Sequence, residues 1–234
     1  MTQLQYTIAP EIFDLFPTFK RGVIVCKNVC NTNNQTFDFS SLNSQLNITM
    51  DNIAESEPVS AWRKVFRTMG VDPTKERVSF EGLTRRLLNK SLIKVINPVV
   101  DLGNFFSILH QCPVGAHPVT TDSVKIDLKK AIGNEIFIPL GSSTIEKVNC
   151  NEVILTDGDN TLTRRFCWRQ GTSSLVTTDT TDLFVNFDFI HNISTAEINK
   201  VITDFKLALK LFSPELKSES FILALGSEKH LCYF

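Results

Sequence analysis

Apolar positions change their period along the chain, and the changes mark out helices early, short strands in the middle and one long helix late. Between Ile8 and Phe19 the apolar residues Ile12, Phe13 and Phe16 are interrupted by Pro10 and Pro17, which predicts a short turn of helix. Gly22-Val23-Ile24-Val25-Cys26 is an unbroken run of strand length, and it is read as buried. The tract from Asn31 to Asn52 is rich in Asn, Ser and Gln, as in a loop leading into a polar helix. From Ala61 onward Val65, Phe66 and Met69 recur at helical spacing among Arg63, Lys64 and Arg67, and Gly70 ends the pattern. Ser79 is predicted to cap a second basic helix, with Leu83, Leu87 and Leu88 on one side and Arg85 and Arg86 on the other. Asn97-Pro98 breaks the period, which resumes from Val99 to Leu109.

After Pro118 the texture becomes that of a sheet. Val124 to Leu128 alternates as a half-exposed strand, and Ile136 to Leu140, Val153 to Leu155 and Arg164 to Trp168 read as short strands between Gly, Asn and Asp turns. Asp157-Gly158-Asp159-Asn160 is a hairpin signal, and Phe184 to Ile190 is a further strand. Ser194-Thr195-Ala196-Glu197 matches a capping box for a helix running to Phe212, with Ile198, Val201, Ile202, Phe205 and Leu209 inward and Pro214 beyond its end. Phe221 to Leu225 reads as a last strand. This order is α+β rather than a regular alternation, with mixed sheets flanked by helices and no internal repeat.

Composition narrows the picture. At 234 residues, 42% apolar and 21% charged, the chain is expected to form one body, residues 1–234, with residues 1–60 as an α/β extension packed on the rest. Net charge is −1, so any nucleic acid must be held by a local patch rather than by overall charge. That patch has a candidate: nine Lys and Arg residues from Arg63 to Lys94 face only Asp72, Glu76 and Glu81, either as solvated helix faces or as a basic shoulder. No apolar stretch approaches bilayer length and the first residues lack the features of a signal peptide, so a cytoplasmic protein with reduced thiols at its six Cys positions is expected. Cys26 and Cys30 lack a second ligand pair, and the four His have no paired spacing, so no metal or other cofactor is expected. No dinucleotide, phosphate-loop, zinc-protease or serine-elbow motif occurs.

Small polar groups concentrate at three places. Asp101 and Asn104 share a helix face, where they either satisfy backbone groups or cap the helix and point an amide into a cavity. Gly115, Ala116 and His117 follow Pro113-Val114; the imidazole is a proton donor, a hydrogen-bond anchor or a loop residue. Trp168 and Arg169 precede Gly171, Thr172 and Ser173, a turn able to present N–H groups and hydroxyls, with Arg169 free for an anion or tied to an internal carboxylate.

In order and spacing these segments resemble the B3/B4 module of the bacterial phenylalanyl-tRNA synthetase beta subunit, and still more the free-standing proteins built from that module, from about Pro10 to Ile190. The resemblance implies the B3/B4 fold and a pocket that recognises and hydrolyses wrongly charged tRNA. It also marks departures. A Thr of the synthetase pocket is Gly103 here, its His falls on Gly115 with His117 two positions on, and its tyrosine-reading Glu falls on Thr172, so tyrosine specificity is not implied. Glu135 matches a supporting Glu.

Two functions follow. One is a trans-editing deacylase, with Asn104, His117 and Thr172 as catalytic candidates, Gly103, Gly115, Ala116, Trp168, Arg169, Gly171 and Ser173 around the substrate, and Arg63, Lys64, Arg67, Arg85 and Arg86 on the tRNA acceptor end. The other is a binding module without turnover, holding RNA or an amino acid. The expected partners are the tRNA acceptor end and an amino acid or aminoacyl ester, with no membrane and no DNA.

Overall fold

The structure, a computed structural model, describes residues 2–32 and 35–234; Met1 and the Asn33-Asn34 pair of the polar tract lie outside them. In chain order the elements are β1 (Gln3–Ile8), α1 (Pro10–Leu15), β2 (Lys20–Lys27), α2 (Glu57–Thr68), α3 (Ser79–Leu88), α4 (Pro98–His110), β3 (Val114–Pro118) and β4 (Ser123–Lys130). Then come β5 (Ile136–Phe137), β6 (Glu146–Lys147), β7 (Val153–Asp157), β8 (Asn160–Arg164), β9 (Arg169–Gln170), β10 (Leu183–Phe189), α5 (Thr195–Phe212), β11 (Lys217–Ala224) and β12 (Lys229–Tyr233).

The strands form two mixed or antiparallel sheets. An eight-stranded sheet runs β12-β1-β4-β7-β8-β5-β6 with β9 against β8, and a four-stranded sheet runs β11-β2-β10-β3. β1 lies parallel to β4 and antiparallel to β12. Its alternation of Gln3, Gln5 and Thr7 with buried Leu4, Tyr6 and Ile8 sends one face inward. The sheets meet through those residues, Val23 and Val25 of β2, Ile126 and Leu128 of β4, and Phe184 of β10, joined by Trp62 and Phe66 of α2. On the other face of the smaller sheet, Ile24, Val185, Phe187 and Phe189 pack against Leu102 and Phe106 of α4 and Ile198, Ile202 and Phe205 of α5. Among the described residues of the polar tract 31–52, the chain forms a 3-10 stretch, Phe39–Ser44, and no polar α-helix.

Several local expectations change. Ser79 is the first residue of α3, not its cap; Val78 holds that position without a side-chain bond. Asn97 caps α4, its Oδ1 accepting from Val100 N–H, while Asp101 reaches back and accepts from Ile96 N–H at 3.0 and 3.2 Å. Pro118 is tolerated in β3 because that strand is the sheet edge. The predicted strand 164–168 stops at Arg164, since Arg165 and Phe166 take left-handed φ values of 47° and 69° and turn the chain. The hairpin at 157–160 forms with Gly158 at φ 57°.

The capping box of α5 also forms, Ser194 and Glu197 satisfying each other's backbone N–H. Ser194→Ala should cost about 1 kcal/mol of stability, read as a lower urea midpoint with an unchanged m-value.

Candidate functional site

A cleft of about 440 Å³ opens where the smaller sheet, the start of α4 and the turn after β8 converge. Strand register decides what its floor is made of. In β10, Phe184, Asn186 and Asp188 share the face turned toward the larger sheet, opposite His117, Gly115 and Arg21 respectively on the neighbouring strands. From α4 come Val99, Val100, Gly103 and Asn104; from the far side come Leu155, Thr163, Phe166, Cys167, Trp168 and Gln170. Exposed Ile96 and Leu140 border the mouth.

The floor is polar and dry. Arg21, 1% exposed, donates to both oxygens of Asp188 at 2.5 and 2.7 Å and to the Tyr6 hydroxyl at 2.8 Å, and Tyr6 in turn donates to Asn186 Oδ1 at 2.9 Å. Burial works against the Arg21 cation, yet Asp188 and Tyr6 hold it on the charged side. Burial likewise raises the Tyr6 phenol and the Cys167 thiol, so both stay protonated. The same desolvation, reinforced by Arg21, pushes His117 down to about 3, leaving a neutral imidazole at physiological pH. His117 stacks on Phe184 with ring centroids 5.0 Å apart, and its buried Nδ1 has no partner among the described residues. An orphaned N–H is costlier to bury than a bare lone pair, so we assign the proton to Nε2. Nε2 sits 3.2 Å from where a side chain on Gly115 would begin. The imidazole of His117 thus reaches back over Gly115, since positions two apart on a strand share a face.

Of the residues expected at the site, Gly103, Asn104, Gly115, Ala116, His117 and Trp168 line the cleft together. The half-buried Asn104 amide bonds to no other described residue, which leaves it free to meet a ligand. Arg169, Gly171, Thr172 and Ser173 stand outside. Arg169 donates to both oxygens of Glu146 at 3.1 Å, beside Arg164, which Glu146 and Glu152 also hold. A Cβ added at Gly171 would come within 2.9 Å of the Thr161 carbonyl oxygen; Thr172 donates its hydroxyl to Pro139 O, and Ser173 faces solvent. The strand alternation explains the miss by one residue: Thr163 and Gln170 pair on the cleft side, Arg164 and Arg169 on the outer side. Gln170 Nε2 donates to the Ala116 and Ser174 carbonyls, stitching this wall to β3.

The basic shoulder is partly turned inward. Arg63 grips the fully buried Glu81 at 2.6 and 3.1 Å and Arg85 joins at 2.9 Å, while Lys64, Arg67 and Arg86 remain exposed. Glu135 accepts from the N–H groups of Ile132 and Gly133, a bracing role. Among the described residues one His, Cys and carboxylate group converges, Glu219 with His230 and Cys232. There His230 already contacts Glu219 at 3.2 Å and stacks on Phe221.

The B3/4 domain family description matches residues 61–225, well over half of the chain. The chain belongs to the B3/4 domain family. Its α+β fold of mixed sheets flanked by helices is that of the family, and the cleft lies within the matched span. The one exception is Arg21, which enters from β2. Among solved structures, the chain is similar to an N-terminal fragment of the phenylalanyl-tRNA synthetase beta-subunit from Pyrococcus horikoshii, at 12% identity and a TM-score of 0.43. That match covers 92% of this chain and 50% of the other, so this B3/4 protein spans about half the length of that fragment. No curated protein matches it. No helix among the described residues is long and apolar enough to cross a membrane.

Arg21, Asn186 and Asp188 were missed as site residues although a signal existed. Asn186 and Asp188 stand two apart within a run of Phe and Val, which puts both on one face of a strand, and a polar face inside such a run must be compensated by something like Arg21. The buried imidazole makes a testable statement about acid stability. Between its ordinary value of 6.5 and about 3, His117 binds a proton in the unfolded chain but not in the folded one, so stability is lost as pH falls through that window. His117→Gln should flatten the decline between pH 7 and pH 4 relative to the parent protein, by an amount on the order of a few kcal/mol, measured by urea unfolding at each pH.

Proposed function

We propose that this B3/4 protein is a trans-editing deacylase that hydrolyses the ester joining a wrong amino acid to the terminal ribose of a tRNA. The observation that carries the reading is that the Asn104 amide and the His117 imidazole line one cleft, on whose floor Arg21, Asp188 and Asn186 are already paired. An aminoacyl ester is activated from the start, so fixing it beside a water and stabilising the oxyanion suffices without a side-chain nucleophile. The water oxygen bonds to the acyl carbon, the bond to the ribose oxygen breaks, and the proton released from the water ends on that departing oxygen. Asn104 and the Nε2–H of His117 are neutral donors suited to the carbonyl oxygen as negative charge develops on it. With its basicity so reduced, His117 serves as a hydrogen-bond donor rather than a base. Gly103 and Gly115 leave room, and Trp168 with Val99, Val100 and Leu155 supplies apolar walls for the amino acid side chain.

The second reading, a module that binds an amino acid or RNA end without turnover, is favoured by one observation. The cleft groups that could act as a base are occupied or shifted: burial raises the Asp188 carboxyl but Arg21 holds both of its oxygens, His117 is depressed, and burial raises the Cys167 thiol.

A panel of mischarged tRNAs incubated with the purified protein separates them. The first reading expects ester loss faster than the spontaneous rate for at least one amino acid. Asn104→Ala should reduce it about 100-fold, as should His117→Ala, while Arg169→Ala, outside the cleft, leaves the rate near that of the parent. A rate that is flat from pH 6 to pH 8 apart from the hydroxide dependence of the water is also expected. Binding with no acceleration for any member of the panel supports the second reading and rejects the first.

A further inference from the structure

The geometry points to a phosphate-binding pocket on the outer side of α3, built to hold the sugar-phosphate backbone of a single-stranded nucleic acid whose end enters the cleft. The pocket, of about 370 Å³, is lined by Lys75, Arg77, Arg85, Arg86, Asn89 and Ser91, with Met50 and Gly82. Among the described residues no carboxylate lines it. Of the neighbouring acids, Glu81 lies buried behind the pocket wall, shared by Arg63, Arg77 and Arg85, while Glu76 pairs with Arg165 and Asp72 accepts hydrogen bonds from Thr74. Arg77 stands 3.9 Å from Glu81 and is half in solvent, and Lys75 and Arg86 form no ion pair among the described residues. Lys75 and Arg86 are unpaired among the described residues, and Arg77 and Arg85 share the single buried Glu81 with Arg63, so the concavity keeps a net positive charge beside an amide and a hydroxyl, the donors that a phosphodiester requires.

The cleft is the opposite. Its Arg21 is neutralised by Asp188, and only the exposed Lys94 at its rim is an unpaired cation among the described residues. A ligand filling both places therefore places its phosphates at the pocket and no anionic group in the cleft. The chain connects the two places directly: Ser79 at the start of α3 borders the cleft and Arg86 near its end borders the pocket, about 10 Å apart along the helix. The segment after α3 repeats the link, with Ser91 at the pocket and Lys94 and Ile96 at the cleft mouth. That the ligand's end occupies the cleft rests on the deacylase reading; the pocket's affinity for phosphates does not.

The test uses a short fluorescein-labelled single-stranded RNA without an ester, followed by fluorescence anisotropy against salt. Affinity should fall as salt rises, and Arg86→Glu and Lys75→Glu, both exposed and outside the core, should each weaken binding at least tenfold and lower the salt slope by about 1. Lys210→Glu, an exposed charge reversal on α5, should leave affinity unchanged. The proposal is overturned if the pocket variants bind as the parent does, or if Lys210→Glu weakens binding equally, which would mean diffuse attraction. Because the probe carries no ester, failure here is distinct from failure of the deacylase: hydrolysis without pocket-dependent binding removes the pocket alone, and pocket-dependent binding without hydrolysis removes the enzyme alone.

Discussion

A buried arginine holds this molecule together and shapes its cleft. Arg21 lies in β2 with almost no access to water, and the cost of removing a guanidinium from water is offset only when every donor finds a partner. Its partners come from both sheets: Asp188 from β10 of the smaller and Tyr6 from β1 of the larger, with Asn186 completing the chain. The two layers consequently face each other in one relative position, in which the network is complete. The cleft occupies what the network leaves, and its floor inherits the network's dryness.

That inheritance explains the chemistry of His117. An imidazole beside a permanent cation and away from solvent cannot keep a second proton, so it acts through a hydrogen bond and not through charge. The site is thus electrically quiet inside, while positive charge collects on α2 and α3 outside it. On the proposed deacylase reading, separating the two lets a near-neutral chain attract a polyanion locally without placing strong charges next to a reacting carbonyl.

Much of the architecture was legible in the sequence because period and caps agree there. Asn97-Pro98 and Ser194 to Glu197 start their helices where expected, and Gly158 turns its hairpin. Strands with weak patterns were not legible. β12 buries only Cys232 fully, and β3, made of Val, Gly, Ala, His and Pro, is an edge strand that takes its shape from β10. β1 is different, since Gln3 to Ile8 alternates cleanly and its period of two is plain in the sequence. Asn104, His117 and Trp168, which the resemblance points to, line the cleft. Charge alone points to Arg169, but alternation on a strand turns Gln170 to the cleft and Arg169 away from it. Arg21 was out of reach by proximity, since its partner Asp188 is distant in sequence and only the sheet brings them together.

The left-handed turn at Arg165 and Phe166 has a consequence for how ligand preference could drift. A bulky residue at φ 69° is held there by its surroundings, and the Phe166 ring is enclosed by Phe16, Phe19 and Trp62 at centroid distances of 4.8 to 5.8 Å. The adjoining Cys167 and Trp168 form a wall of the cleft, so the shape of that wall is dictated by aromatic residues around α1 and from α2 that never touch a ligand. Selectivity in this protein is therefore open to change from behind: resizing a remote ring can reposition the wall while every ligand-facing side chain keeps its identity.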